Sequence, residues 1–559
     1  MDASPLNRLE FEASPAPMAA DRPRPWTRPR RPRRVGWILL LALGALAVFV
    51  ARAPTAPPAP EQTLRVAMTA SDLPTTTGAP TQGLEGVRFA GYPVFEPLVM
   101  WDLRVVDRPP GVIPWLASEY AVDPANHNRW IFHLRRDVKF QDGTPFNADA
   151  VIWNFARFYD PAAPQYEASS AAQTKARAPM VAGFEKIDDD TVAIYTKTPT
   201  SFFPEIVASI LMVSPTRWRE VGGDWQDFAQ RPAGTGAFRI TKVDRTSITM
   251  DRNPRYWNTA RSPRLERIVL YAMSEPTTRI AALRSGEVDW IESPPSDAIP
   301  FLRRSGYTVS ATPMEHVWPY WLRIRPDSPF RDVRVRQALN YAVDREGLVT
   351  LLNGAAEPAK GYWKPSDPRF GHPKNDYRFD PEKAKSLLVE AGYRPGELVK
   401  ARLLVAPAGS GQMLAMPMNE LLQQSARKAG FDLSFDVVEY SQISAVYSDQ
   451  KAMDLRHVQA VNKGFSTADL TWLYYSFYPP NVPNFADPET MALMDRFRND
   501  FDHGANTELL ARIHERLVDL APWVWIVHDV NPRAFSPRVK GYTPAQTWFT
   551  DLTTVYMEK

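Results

Sequence analysis

"MNELLQQSARKAGFDLSFDVVEY" (Met418–Tyr440) decides the fold class of this chain. Its first half reads as a helix that stops at Gly430. Phe431, Leu433, Phe435 and Val437 then alternate, the period of a strand with one face on a core. Helix, glycine, strand is an α/β arrangement. The same punctuation recurs outward from there. In "DPEKAKSLLVEAG" the cap candidate Asp380 precedes Pro381, and Gly392 ends the helix. "SEPTTRIAALRSGEVDWI" takes Ser274 as N-cap, carries Pro276 in its first turn and stops at Gly286. "TLRVAM" (Thr63–Met68) starts as a strand, and "DTVAIYTK" (Asp190–Lys197) alternates at period two.

The most regular stretch is "WIFHLRRDVKFQDGTPFNADAVIWNFARF" (Trp130–Phe158). Trp130, Phe132 and Leu134 alternate with Ile131 and His133, as on a half-buried strand. Asp142-Gly143 supplies turn chemistry, and Asn147 caps a helix from about Ala148 to Phe158. Every residue in it has a structural job, so function is sought elsewhere.

At 559 residues the chain is too long for one ordinary core, and two or more lobes are expected. Its 44% apolar content is that of a folded protein. The absence of cysteine excludes disulfides, thiolate zinc sites, a cysteine nucleophile and a lipid-modified N-terminal cysteine. The net charge of +3 is unevenly placed: residues 1–61 hold 9 basic against 5 acidic residues, and the remainder 57 against 58. A body without basic excess argues against general nucleic-acid binding.

"RPRPWTRPRRPRR" (Arg22–Arg34) runs straight into "VGWILLLALGALAVFV" (Val35–Val50). A basic segment (1–34) before an apolar run (35–51) is the order of a signal peptide or an N-terminal anchor. At about 1.5 Å per residue the run spans roughly 24 Å, short for a bilayer core. Ala51-Arg52-Ala53 suits a signal peptidase, whereas Pro54 opposes cleavage; both outcomes stay open, as does a start at Met1 or Met18. Either way the positive-inside bias sends the body across the membrane. Residues 52–61 form a proline-rich linker.

Catalytic signatures are missing. "GTGAFR" (Gly234–Arg239) has no third glycine and reads as a turn rather than a dinucleotide fingerprint. "GSG" (Gly409–Gly411) is no nucleophile elbow, and "HERL" (His514–Leu517) has no second histidine at zinc-protease spacing. No catalytic residue, metal site or cofactor is expected. Aromatic residues stand out instead. "EHVWPYWLRIR" (Glu315–Arg325) sets its rings beside Arg323 and Arg325, and "FSTADLTWLYYSFYPP" (Phe465–Pro480) surrounds one acid, Asp469, with rings. A lone carboxylate in so apolar a segment needs a partner, whether backbone N–H, arginine or a ligand ammonium.

Blocks spread along the whole body resemble the extracellular solute-binding proteins of family 5, the periplasmic peptide, dipeptide and nickel receptors of ABC importers. They are "GYPVFEPLVMWD", "IPWLASEYAVDPANHNRWIFHLRRDVKFQDGTPFNADAVIW", "PAGTGAFRI", "RNPRYW", "RIAALRSGEVDWI", "SPFRDVRVRQALNYAVDR", "DPEKAKSLLVEAGY" and "PRVKGYTP", in the family's order. The resemblance implies an α/β, two-lobed periplasmic-binding-protein fold that closes about a hinge. Lobe I would use residues 62–318, with an extra subdomain near 85–184, and lobe II residues 319–521. The segment 522–559 would return to lobe I.

The implied function is capture of a peptide or peptide-like solute between the lobes, for delivery to an ABC permease in the inner membrane. The receptor is expected to be a periplasmic monomer, not an enzyme. A receptor of the same fold for a metal chelate, opine or oligosaccharide is the second reading, and an exported enzyme or chaperone-like protein the third. Peptide-binding relatives hold the α-amino group with an aspartate in a segment like "W-x-x-D-Y-x-D-P". Asp469 keeps that acid here, while Leu470 replaces the aromatic and the later Asp-Pro is missing. Trp318, Tyr320, Trp472 and Tyr474 are expected as stacking walls on alternating strands. Arg323 and Arg325 are candidate partners for a ligand carboxylate, a guanidinium fork suiting that geometry.

Overall fold

The computed structural model describes residues 61–70, 73–79, 83–312, 316–407, 414–439, 442–443, 446, 456–468, 470–479, 481, 484–502 and 506–559. The basic segment, the apolar run, nearly all of the linker and Asp469 lie outside the described residues.

Two large mixed sheets organise the body. The first is ordered 308–310, 533–535, 290–292, 63–68, 267–272, 247–252, 238–243. Its centre is parallel, with Thr63–Met68 between Arg267–Ala272 and Trp290–Glu292. The second is ordered 356–358, 523–529, 316–322, 460–462, 399–405, 431–437, with 465–466 also paired to 316–322. A third, four-stranded antiparallel sheet is ordered 117–123, 126–134, 191–196, 181–188. This is the two-lobed α/β architecture, with the small sheet as the extra subdomain. The small sheet runs to Thr196, past the expected edge near 184, because Thr191–Thr196 is one of its inner strands. An inner strand covered on both faces is buried almost throughout, so the alternation expected for 190–197 is absent.

The chain passes between the large sheets twice, after Ser310 and after Asp529. The strand that arrives, His316–Leu322, and the strand that leaves, Trp523–Asp529, are antiparallel neighbours. Trp523–Asp529 is thus a strand of the second sheet, and the return to the first sheet begins at Arg533–Phe535.

Local expectations resolve into named contacts. Asn147 accepts the Ala150 N–H at 3.1 Å and opens the helix Ala148–Tyr159. Gly430, at φ +98°, ends the helix Ala415–Lys428 and starts the strand Phe431–Val437, whose last residue, Val437, is exposed. The helix Pro276–Ser285 is capped by Glu275, not Ser274. Gly234 and Gly236 do more than turn the chain: a Cβ there would sit 2.1 Å from the Val94 carbonyl oxygen and 2.4 Å from that of Pro93. Only glycine admits that approach.

His514, buried on the helix Asn506–Leu520, carries a pH dependence. Its Nε2 accepts the Trp363 N–H at 3.3 Å, so Nδ1 holds the proton and donates to the Phe370 carbonyl at 2.7 Å. Burial pushes its pKa down to about 4. Between there and the ordinary value near 6.5 the unfolded chain binds the extra proton, so stability is lost as the pH drops through that window, by roughly 3 kcal/mol in all. Urea unfolding at pH 7.5 and 4.5, compared with a His514→Gln chain, checks this. Equal losses in the two chains would remove His514 as the cause.

Candidate solute-binding cleft

A cavity of about 720 Å³ lies between elements of the two halves. From the first come Val87, Tyr92, Trp101, Arg177, Glu205, Ser209, Thr547 and Phe549; from the second come Ser466, Ala468, Thr471, Trp472 and Tyr475. Arg177 is the last residue of the helix Ala168–Arg177, and Glu205 stands in the first turn of the helix Phe203–Val207. The second half's contribution is the strand Phe465–Ser466 and the helix Leu470–Phe477.

That helix revises the expected aromatic walls. Residues two apart share a face on a strand but lie about 200° apart on a helix. Trp472 lines the cavity, whereas Tyr474 points away and packs against Phe202 (ring centroids 4.8 Å) and Tyr478 (5.5 Å). Tyr475, three residues after Trp472, shares its face, with the two rings edge to face at 6.1 Å. Burial pushes the Tyr475 hydroxyl up to about 12, so it stays a neutral donor.

Trp318 and Tyr320 do not line the cavity. Their strand is buried at every position, in the middle of the second sheet. The Tyr320 hydroxyl donates to Asn419 Oδ1, and Trp318 packs edge to face with His316 at 4.9 Å. Arg323 and Arg325 follow that strand and are likewise absent from the lining. Arg323 is held by its own N–H on the Gln459 carbonyl at 2.8 Å and by Nη1 on the Val458 carbonyl at 3.4 Å. Burial lowers its pKa, and the charge of Arg325 adds to that.

Two charged residues unforeseen in the sequence line the cleft, and a third lies against one of its walls. Arg177 and Glu205 line it, and Lys463, between the strands Ala460–Asn462 and Phe465–Ser466, approaches from the second half. Lys463 Nζ lies 5.6 Å from the Trp472 ring centroid and 5.7 Å from that of Phe465. Loss of water, with the charge of Arg177 adding to it, pushes this ammonium down to about 7. A general base is one use of a lysine so tuned, but a cation held against aromatic rings also suits anion recognition.

A second cavity, of about 530 Å³, lies behind Tyr92 and Trp101, and all its lining belongs to the first half. Its charges are satisfied within the lobe: Arg261 pairs with Asp551, and Glu96 accepts four hydrogen bonds. It is packing space rather than a solute site.

Residues 111–484 match the family described as bacterial extracellular solute-binding proteins, family 5 Middle. The chain is 28% identical to the heme-binding protein A of Haemophilus influenzae over 458 residues, 74% of this chain and 78% of that one. It is 26% identical to the dipeptide-binding protein of Escherichia coli over 481 residues, 81% of this chain and 87% of that one. Its fold matches that of an ABC transporter-associated periplasmic binding protein from Helicobacter pylori, solved with the peptide STSA. The TM-score is 0.75 at 20% identity, over 89% of this chain and 98% of that one.

Proposed function

This chain belongs to the bacterial extracellular solute-binding proteins of family 5, and from that premise we propose that it is the receptor of an ABC importer for short peptides or peptide-like solutes. The observation that carries this is the cavity between the halves. Its lining brings aromatic side chains from both halves and the charges of Arg177 and Glu205 to one enclosed space. Aromatic walls supply the buried area, and charges of both signs supply the orientation. Closure about the two crossings, which enter and leave the second sheet at the paired strands 316–322 and 523–529, would exclude water, strengthen those polar contacts and present a closed surface to the permease.

In this reading lobe I takes the chain from residue 62 to the strand 308–310 and the C-terminal return from Arg533, and lobe II takes the chain from the strand 316–322 to the strand 523–529. Trp472 is the stacking wall, and Asp469 stays the proposed anchor for a ligand amine. Tyr474, Trp318 and Tyr320 back the site through packing, and Arg323 and Arg325 act outside the cavity. The receptor works as a periplasmic monomer, reached by an N-terminal signal or held by an anchor, and performs no catalysis. A non-peptide solute is the second reading, favoured by similarity to a heme-binding protein.

Native mass spectrometry of the chain purified without refolding decides between them. A mixture of co-purifying short peptides, lost on Trp472→Ala, is expected. A single non-peptide mass would sink peptide capture and keep the receptor.

A further inference from the structure

Behind the cavity the halves meet at a second junction. Phe202 precedes the helix Phe203–Val207, which brings Glu205 to the cavity. Its ring seats against Tyr474 (centroids 4.8 Å) and stacks on Phe497 (5.7 Å) of the other half. Tyr474 stands on the helix Leu470–Phe477, whose opposite face gives the cavity Trp472 and Tyr475. Beside these rings, Ser201 completes a helix to which it does not belong. The last carbonyls of a helix have no partner within it. In Pro488–Arg498 the N–H of Asn499 takes those of Asp495 and Arg496. The N–H of Ser201 donates to the Arg498 carbonyl at 2.9 Å, and its hydroxyl to that of Phe497 at 3.0 Å. Arg498 returns a hydrogen bond, Nη1 donating to the Thr198 hydroxyl at 3.1 Å. Past the helix end, Phe501 packs on His127 (4.4 Å) and Trp130 (6.2 Å) of the small sheet.

Resting on the receptor reading above, we propose that the segment Thr198–Phe202, with His127 and Trp130 of the small sheet, is a clasp that holds the halves closed without touching the solute. Thr198, Ser201, Phe202, Phe497, Arg498 and Phe501 are absent from the cavity walls. Each of these contacts joins one half to the other, so a rotation that opens the cleft breaks them. The helix-end carbonyls then turn to water, which replaces most of what a hydrogen bond contributes but leaves the rings exposed. The closed form therefore has a stabilisation of its own, and a solute has to supply less differential binding to reach it. Two short helices serve both places at once: Phe202 and Tyr474 fix from behind the segments that carry Glu205 and Trp472. The small sheet thereby takes part in closure.

A chain without cysteine lets the clasp be read by paired spin labels. Ile187→Cys and Val389→Cys place labels at exposed positions on opposite halves. The full chain is measured in mild detergent after dialysis, with native mass spectrometry confirming that no solute remains. A population at the separation the two positions have in this structure is expected. Phe501→Ala, which removes the ring packed on His127 and Trp130, should lower the ratio of closed to open chains about tenfold. Ser201→Ala, which removes one hydroxyl, should lower it about threefold. Both variants should keep the parent's urea midpoint, which separates lost closure from lost folding. A solute-free chain found only at longer separations, or variants with the parent's ratio, would overturn the clasp. Peptide capture would then still stand, because no solute enters the measurement. The distribution in the labelled parent decides even if a variant fails to fold.

Discussion

Replacing Glu292 by alanine is expected to destabilise the first lobe by about 3–5 kcal/mol, the cost of stranding buried charge. Glu292 ends the strand Trp290–Glu292 and is opposed in register by Arg533 of the returning C-terminal strand. Its Oε1 accepts the Trp290 Nε1–H at 2.7 Å and lies 3.2 Å from Arg533 Nε, while Oε2 pairs with Arg88. Arg88, Arg533 and Glu292 are all essentially without solvent contact. Burial alone would raise the Glu292 pKa; the charges of Arg88 and Arg533 outweigh it and hold the carboxylate below its ordinary value. Burial likewise lowers Arg88 to about 10, with Arg533 adding to the effect. Without Glu292, Arg88 and Arg279 would share one buried carboxylate, Glu85, already engaged by the N–H groups of Thr69 and Ala70. The loss should appear as a lower urea midpoint followed by tryptophan fluorescence. A shift equivalent to less than about 1 kcal/mol would mean that the cluster is wetter or looser than its geometry implies.

The cluster also shows where sequence reading stops. Arg88, Glu292 and Arg533 are hundreds of residues apart, and nothing local marks any of them as partners. Local chemistry was legible where the backbone itself makes the demand. The Asn147 and Asp380 caps, the turn at Gly143 and the left-handed Gly430 all follow from residue type and position. The aromatic segment 465–480 misled because rings favour strands by propensity, whereas its second half is a helix. Counted at period 3.6, Trp472 would have pointed to Tyr475 rather than Tyr474. Arg177 and Glu205 had no such signal. One ends a small-residue helix and the other opens a single-turn one, and only the tertiary fold turns both toward Trp472. Trp318 and Tyr320 sit at the crossing between the halves, yet a central strand buries both faces and leaves no ring for a cleft.

Glu96→Ala is the second large loss, and it explains why several signature blocks occur together. Glu96 of "FEPLV" is buried, and its Oε1 accepts Trp115 Nε1–H at 2.8 Å and the Tyr256 hydroxyl at 2.7 Å. Oε2 accepts the Thr235 hydroxyl at 2.8 Å and Trp257 Nε1–H at 2.7 Å. Trp115 belongs to "IPWLASEY", Thr235 to "GTGAF" and Tyr256-Trp257 to "RNPRYW", so with "FEPLV" four blocks of the chain meet on one carboxylate. The close approach of Gly234 and Gly236 to residues 93 and 94 brings Thr235 within reach of it. Burial raises the pKa of Glu96, and the four donors act against that rise. Alanine would orphan two indole N–H groups that have no alternative acceptor in these contacts, at about 1–3 kcal/mol each, plus the lost hydroxyl bonds; about 3–5 kcal/mol is expected. Glutamine keeps one oxygen but turns an NH₂ toward one indole, which a rotating hydroxyl can relieve and an indole cannot. It should cost about half as much. Tyr92 and Trp101, to either side of Glu96 in the chain, line the cleft, so solute affinity should fall in the same order as stability. Denaturation and peptide titration of the two variants check both. An alanine variant as stable as the parent would show that these blocks cohere for some reason other than this carboxylate.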